Sequence, residues 1–137
     1  MKVVTDFIEI ESIKIHEYID ITSKVNRIVE ESRIKNGIVC VHEMHTTGAI
    51  VIQENDSDMH EDTKEILNEL IPPKKSYRHS YEGNENATAH IKNQFLGSGA
   101  TIPVINGKLA LGTWQRIFFI ELFRARHRKI AVSILGE

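Results

Sequence analysis

The chain has 137 residues and a mass of 15.6 kDa, the size of one globular domain. Its composition, 41% apolar and 26% charged with one cysteine, excludes a disordered chain, a collagen and a disulfide scaffold. A net charge of −2 excludes a protein that binds nucleic acid through overall basic charge, so no nucleic-acid partner is expected. The seven histidines are the one unusual count.

The N-terminal residues lack the apolar stretch of a signal peptide, and no apolar run approaches the roughly 18 to 20 residues that cross a bilayer. We therefore expect a cytoplasmic protein with no membrane partner. The single cysteine, Cys40, lies in an apolar run at residues 38–41 and is predicted to be a small core side chain.

Apolar alternation and β-branched runs predict strands in chain order at residues 3–11, 13–19, 37–44, 49–53, 101–105, 108–111, 115–122 and 129–135. Helical spacing and terminating residues predict helices at residues 23–35, 56–70 and 87–94. Helices and strands do not alternate regularly, as they would in a parallel α/β fold. The pattern predicts a single α+β domain over residues 1–137, with mainly antiparallel packed sheets and two or three helices.

The histidines differ in their surroundings. His45, His79 and His90 stand beside small or polar residues, as side chains of a site do. Histidine transfers protons near neutral pH and binds zinc-like metals through a ring nitrogen. For each of the three, two interpretations stay open: a site residue, or an ordinary hydrogen-bonded or surface histidine. The ordinary interpretation is adopted for the other four, His16, His42, His60 and His127.

The segment His-Glu-Met-His at residues 42–45 is not a zinc-protease motif. That motif needs two histidines four residues apart on a helix. Here the histidines are three apart in a predicted strand, where such positions face opposite sides of the sheet.

Polar residues collect at two chain junctions. Glu54 and Asn55 lie between a predicted strand and a helix that Asp56 or Ser57 caps, and their role is open between structure and site. The turn-forming residues 82–86 lie between His79 and His90, so they would surround a site if those two histidines converge.

The densest positive stretch lies at residues 124–129. The guanidinium of arginine suits carboxylate or phosphate groups, so the stretch is either a solvated basic turn or a site for a small anion.

In order and spacing, these segments resemble the YjbQ family from about residue 5 to the C-terminus. The resemblance rests on His45-Thr46-Thr47, Glu54-Asn55, Glu82-Gly83-Asn84, Ala89-His90, Ile102-Pro103-Val104, Leu111-Gly112-Thr113-Trp114-Gln115 and Glu121. One segment departs from the family, whose members commonly have an acidic residue and glycine where this chain has Phe123-Arg124. The departure adds a positive charge that would reshape an anion-binding edge.

The resemblance implies a compact α+β domain that assembles as a homotrimer, with a polar pocket near the subunit boundaries. The family is described as having weak thiamine-phosphate synthase activity, which joins a pyrimidine diphosphate to a thiazole phosphate and releases pyrophosphate. We therefore expect an enzyme that acts on a phosphorylated small molecule. Two alternatives are a metal-dependent hydrolase of such a molecule and a non-catalytic trimer that binds an anion or a protein partner.

Site roles follow from the residues and the matched motif positions together. The expected catalytic residues are His45, Glu54, Asn55, His79 and His90. The expected substrate-binding residues are Thr46, Asn84, Gln115, Arg126 and Arg128. A divalent metal is expected either as zinc on three imidazoles, with an open position for catalysis, or as magnesium on Glu54 and Asp58. The preferred ligands are His45, His79 and His90.

Overall fold

A computed structural model describes all residues, 1–137, as three helices and eight strands. In chain order the elements are β1 (Lys2–Glu11), β2 (Tyr18–Asp20), α1 (Thr22–Ser32), β3 (Gly37–Glu43), β4 (Gly48–Gln53), α2 (Ser57–Leu70), α3 (Asn84–Leu96), β5 (Gly99–Ile105), β6 (Lys108–Leu109), β7 (Arg116–Glu121) and β8 (His127–Gly136). A five-stranded sheet has the order β1-β8-β3-β5-β6, and a three-stranded sheet has the order β2-β7-β4. Every strand pair is antiparallel, which confirms the predicted α+β class.

The core lies between the two sheets and α1. Alternate residues of β8, from Ile130 to Ile134, point inward, as the period of a strand requires. They pack with Val25 and Val29 of α1 and with Phe119 of β7 in one cluster of 17 buried residues. A smaller cluster, which contains Phe118, Ile120 and Leu122, packs the other face of β7 against α3.

Several predictions at the level of elements need correction. Residues 13–19 do not form one strand, because the chain turns at Ile15 and His16 and only Tyr18–Asp20 pairs with β7. The prediction that Cys40 is a core residue is wrong: its side chain is exposed on the outer face of β3, opposite the buried Val39 and Val41. No helix in the structure is both long enough and apolar enough to span a bilayer.

Two connections pass from one sheet to the other at the same end of the molecule. Residues 44–47 join β3 to β4, and residues 122–126 join β7 to β8. They lie side by side, because β4 pairs with β7 while β3 pairs with β8. The backbone N–H of Leu122 donates to the carbonyl oxygen of Thr47 at 3.1 Å. Most of the predicted site residues that the structure brings together lie around this pair of connections.

Candidate functional site

A buried ion pair fixes the two connections to each other. Arg128 Nε donates to Glu121 Oε1 at 2.8 Å, and the same guanidinium donates to the hydroxyl of Thr47 at 2.9 Å and to the second carboxylate oxygen of Glu121. Ser12 also donates to Glu121 and holds the backbone of Arg126 on both its N–H and its carbonyl. The pair thus sets the path of the chain through both connections.

Arg128 is therefore not a substrate-binding residue in this structure, and that prediction is corrected. Only 1% of Arg128 is exposed, and the hydrogen bonds described above go to groups of the same chain. The physical reason is strand alternation, which points Arg128 to the same side as Ile130, Val132 and Ile134.

Arg126 is exposed and lines a pocket of about 330 Å³ with Arg124, Phe123 and Glu82. The guanidinium carbons of Arg124 and Arg126 lie 4.2 Å and 5.1 Å from the centre of the Phe123 ring. This buried ring gives both flexible side chains a surface to rest on, in cation–π geometry. We call this cavity, with its four lining residues, the arginine pocket.

His79 and His90 converge, as the sequence had allowed. Their ring centres lie 4.9 Å apart with the planes nearly perpendicular, and Tyr81 packs against His79 at 5.1 Å. The backbone of Thr46 lies beside the His90 ring, so α3 and the β3–β4 connection meet here. Burial lowers the pKa of His90 below its ordinary value, and the neighbouring His79 lowers it further. The neutral imidazole is thereby favoured.

His45 belongs to the same end of the molecule but faces another direction. Its Nε2 accepts the backbone N–H of Lys129 at 2.9 Å, and its own backbone N–H donates to the buried Glu43 at 2.7 Å. Burial lowers the pKa of His45, and the nearby guanidiniums of Arg128 and Arg126 lower it further. One ring nitrogen of His45 is thus already hydrogen-bonded to the backbone of β8.

The three expected imidazole ligands do not form a metal site within one chain. No group of three or more His, Cys, Asp or Glu side chains lies close enough together to hold a metal ion. The pair of His79 and His90 supplies two imidazoles, whereas a catalytic zinc site needs three protein ligands. Glu54 and Asp58, the alternative magnesium ligands, belong to no such group of three, and a magnesium ion held by these two carboxylates stays a prediction.

The remaining predicted residues occupy other positions. Asn84 is the first residue of α3, directly after Gly83, in the same helix as His90. Glu54 and Asn55 follow β4, and Gln115 precedes β7, so these three lie at the opposite end of the paired strands. The side-chain oxygen of Gln115 accepts the N–H of Gly112 at 2.8 Å and shapes its own loop.

Sequence reasoning missed three residues of the arginine pocket as site residues: Glu82, Phe123 and Arg124. Arg124 lies in the segment that departs from the family pattern, and the positive charge that it adds was the one sign in the sequence of a role in anion binding. Glu82 lies in the turn before α3, where composition predicts a turn but not what the turn packs against.

Comparison with known proteins agrees with this architecture. The family model described as UPF0047 protein YjbQ-like matches residues 6–137. A UPF0047 protein from Methanothermobacter thermautotrophicus is 43% identical over 137 residues, covering 100% of this chain and 95% of that protein. The UPF0047 protein YugU from Bacillus subtilis is 35% identical over 94% of this chain and 97% of its own length.

Solved structures lead to the same assignment. A crystal structure from Sulfolobus solfataricus, described as a YbjQ-like protein of unknown function, has a TM-score of 0.94 and 42% identity and covers 99% of both chains. A hypothetical protein from Aeropyrum pernix has a TM-score of 0.86 and 33% identity over the full length of both chains. The chain belongs to the YjbQ/UPF0047 family, whose function is uncharacterised.

Proposed function

We propose that the chain binds and acts on small phosphorylated molecules, and that the arginine pocket holds the phosphate. The observation that carries this proposal is the pair of exposed guanidiniums, Arg124 and Arg126, at one cavity. Guanidinium groups bind phosphate oxygens through paired, charge-assisted hydrogen bonds. The backbone N–H of Arg126 donates to the hydroxyl of Ser12, which in turn donates to the buried carboxylate of Glu121. The backbone that carries the Arg126 side chain is therefore fixed in position.

The start of α3 supports the same assignment. Gly83 precedes the helix with φ of +90° and provides no side-chain cap, so the first backbone N–H groups of α3 have no capping side chain. A helix N-terminus carries partial positive charge and favours anions. Glu82, the neighbour of Gly83, lines the arginine pocket, so the arginines and the helix start act on the same region.

The candidate reaction is thiamine-phosphate synthesis, which the family resemblance implies. For displacement of a diphosphate, the protein mainly has to align the two reactants and neutralise the charge of the leaving pyrophosphate. Arg124 and Arg126 suit that neutralisation. The imidazoles of His79 and His90, whose ring centres lie 4.9 Å apart, suit hydrogen bonding to the second reactant. Burial lowers the pKa of His90 and so favours its neutral form. Because one chain does not bring the three expected imidazole ligands together, we derive no step through a metal ion.

A homotrimer, also implied by the resemblance, would combine the two groups of predicted residues. His45, Thr46 and Arg126 lie at one end of the β4–β7 pair, and Glu54, Asn55 and Gln115 lie at the other. Six residues of strand separate those ends by about 16 Å, which is too far for one small site. A ring of identical copies in head-to-tail contact brings unlike ends together. The proposed assembly therefore places Gln115 of one copy near Arg126 of the next.

Calorimetric titration with thiazole phosphate tests the phosphate assignment. Arg126→Ala removes a charge-assisted hydrogen bond, and we expect binding to weaken by about 1.5 to 3 kcal/mol. Arg27→Ala serves as the matched control, because Arg27 is an exposed arginine on α1 far along the chain from the pocket. Equal affinity of Arg126→Ala and the unsubstituted chain would overturn the assignment.

A further inference from the structure

One edge of the five-stranded sheet is open. β1 is the first strand of that sheet, so β8 covers one of its sides and no strand covers the other. The backbone N–H of Ser12, directly after β1, donates at 3.0 Å to the residue before β8, whereas the N–H of Phe7 donates to the carboxylate of Asp6. Because backbone groups alternate between the two sides of a strand, the odd-numbered residues of β1 face the open side. The N–H and C=O groups of Val3 and Thr5 therefore have no strand partner there.

A cavity of about 400 Å³ lies beside this open side. Residues 6–9 of β1 form one wall, and one face of α1 forms the other. Three acidic and two basic side chains line it: Asp6, Glu9, Glu31, Lys24 and Arg27. A strand added to β1 would send alternate side chains into this space. The excess of acidic groups favours a cation among them.

The sequence of β1 complements itself when two copies pair across a two-fold axis. Two such strands run antiparallel, and odd-numbered residues must meet odd-numbered residues, so the register changes in steps of two. With Val4 opposite the partner's Val4, Lys2 of each copy lies opposite the partner's Asp6. Val3 of each copy then lies opposite the partner's Thr5 on the outer face. Opposite charges and β-branched pairs both stabilise antiparallel strands.

Neighbouring registers are less favourable. The next one places Asp6 opposite the apolar Val4, and the one after it places the two Asp6 carboxylates opposite each other. An acidic side chain on the inward-facing side of an edge strand keeps wrong partners away, and a lysine directly opposite removes that obstacle. The ammonium of Lys2 donates to the carbonyl oxygen of Ser32 at 2.7 Å, which leaves two of its three N–H groups for the partner's Asp6.

We propose that β1 pairs with β1 of a second copy, antiparallel and with Val4 at the two-fold axis, so that two five-stranded sheets become one continuous sheet. Lys2 of each copy enters the cavity of the other and lies beside Asp6. The paired segment, residues 2–6 of each copy, is short, so the contact is weak and forms at high concentrations of the chain. No residue of this segment lines the arginine pocket, and the inference therefore does not depend on the proposed function.

Disulfide cross-linking between two variants tests the register. Val3→Cys and Thr5→Cys are made in a Cys40→Ser background, because Cys40 is exposed and would also react. Val3 and the partner's Thr5 would lie about 5.5 Å apart between Cα atoms, which a disulfide spans, whereas identical residues would lie more than about 7 Å apart. Under mild oxidation, we expect several times more covalent dimer from the mixture of the two variants than from either alone. Equal yields from the mixture and the single variants would overturn the proposal.

An exchange of charges tests the recognition of one copy by the other. Asp6→Lys places a cation opposite the partner's Lys2 and should abolish the cross-link in the mixture, and Lys2→Asp added to the same chains should restore it. Glu11→Lys makes the same change of charge on β1 outside the paired segment and should leave the yield unchanged. All three positions are exposed, so the fold is not at risk. A yield that Asp6→Lys does not lower, or that the exchange does not restore, would contradict the proposed pairing.

Discussion

At the scale of single residues, the buried pair of Arg128 and Glu121 is the most consequential contact near the site. Each partner is at most 1% exposed, and the carboxylate also accepts hydrogen bonds from Ser12 and from the backbone of Phe123. Removal of one member of such a pair leaves a buried charge without compensation. The pair therefore governs both stability and the shape of the connections that carry Arg126.

We expect Arg128→Met to lower the free energy of unfolding by about 3 to 5 kcal/mol, because Glu121 then stays buried and unpaired. Urea unfolding followed by circular dichroism measures the loss. The double variant Arg128→Met, Glu121→Gln should recover part of it, since the isolated charge is gone. A loss below about 1 kcal/mol for the single variant, the size expected of an exposed pair, would contradict this assignment.

A second residue-scale prediction concerns His16. Burial lowers the pKa of His16 to about 4, and the nearby ammonium groups of Lys92 and Lys64 contribute in that order. Lys92, itself buried, donates to Nε2 of the neutral imidazole at 2.9 Å. The folded state therefore prefers the neutral ring, and the stability from this preference is complete above pH 6.5 and is lost as the pH falls towards 4.

Replacement of His16 by Asn tests this pH dependence. Asn tolerates the left-handed backbone of this position, where φ is +62°, and it does not titrate. Urea unfolding of both chains at pH 7 and at pH 4.5 should show a smaller loss of stability for His16→Asn. His42→Asn, at an exposed strand position, should lose as much stability as the unsubstituted chain. Equal losses for all three chains would contradict the prediction.

At the scale of elements, the sequence predicts most strands and helices because their periodicity is strong. The alternation of β8 and the Asp56 cap of α2 are both visible in the residues, and both are confirmed. The segment at residues 13–19 misleads, because its apolar residues Ile13 and Ile15 alternate but are exposed. Their environment depends on the turn at His16, which the local pattern does not reveal.

The positions of residues within helices and strands also explain which parts of the site could be predicted. The spacing of His79 and His90 allowed them to converge, because the chain turns between them into α3. Arg126 and Arg128 look equivalent in a basic run, yet only one is exposed. Arg128 lies two, four and six residues before the apolar Ile130, Val132 and Ile134, so strand alternation predicts that it points inward with them. No local pattern predicts which distant segments line one pocket, as Glu82 and Arg126 do.

The cap of α2 gives an element-scale prediction. The carboxylate of Asp56 accepts the backbone N–H groups of Asp58 and Met59 at 2.8 Å and 3.2 Å. Asp56→Ala leaves both without that acceptor and should cost about 1 kcal/mol of unfolding free energy in urea titration. Asp62→Ala, in the exposed middle of the same helix, should change stability by less than half as much. Equal effects of the two substitutions would show that the cap does not stabilise α2.

At the scale of the whole molecule, the two ends of the β4–β7 pair carry different residues of the predicted site. One chain keeps them apart, and in the proposed homotrimer contact between copies would bring them together. The sequence does not show this separation, because Thr46 and Glu54 are near neighbours along the chain. Trp114 lies in the Gly112–Gln115 loop at one of these ends and is 71% exposed.

Since Trp114 is the single tryptophan, its fluorescence reports directly on the proposed assembly. Sedimentation equilibrium should give three times the chain mass, and in that state Trp114 should resist quenching by acrylamide. Trp114→Ala removes the fluorescent side chain and part of the proposed contact between copies, so it should shift the equilibrium from trimer to monomer. Free quenching of Trp114 in an assembled trimer would show that the loop does not lie between copies.

Phosphate binding at the arginine pocket is tested by a crystal structure of the chain with thiazole phosphate. We predict that the phosphate oxygens lie about 2.7 to 2.9 Å from guanidinium nitrogens of Arg124 or Arg126, the distance of a charge-assisted hydrogen bond. Phosphate bound at another place in the crystal, with both guanidiniums free, would show that the arginine pocket is not the phosphate site.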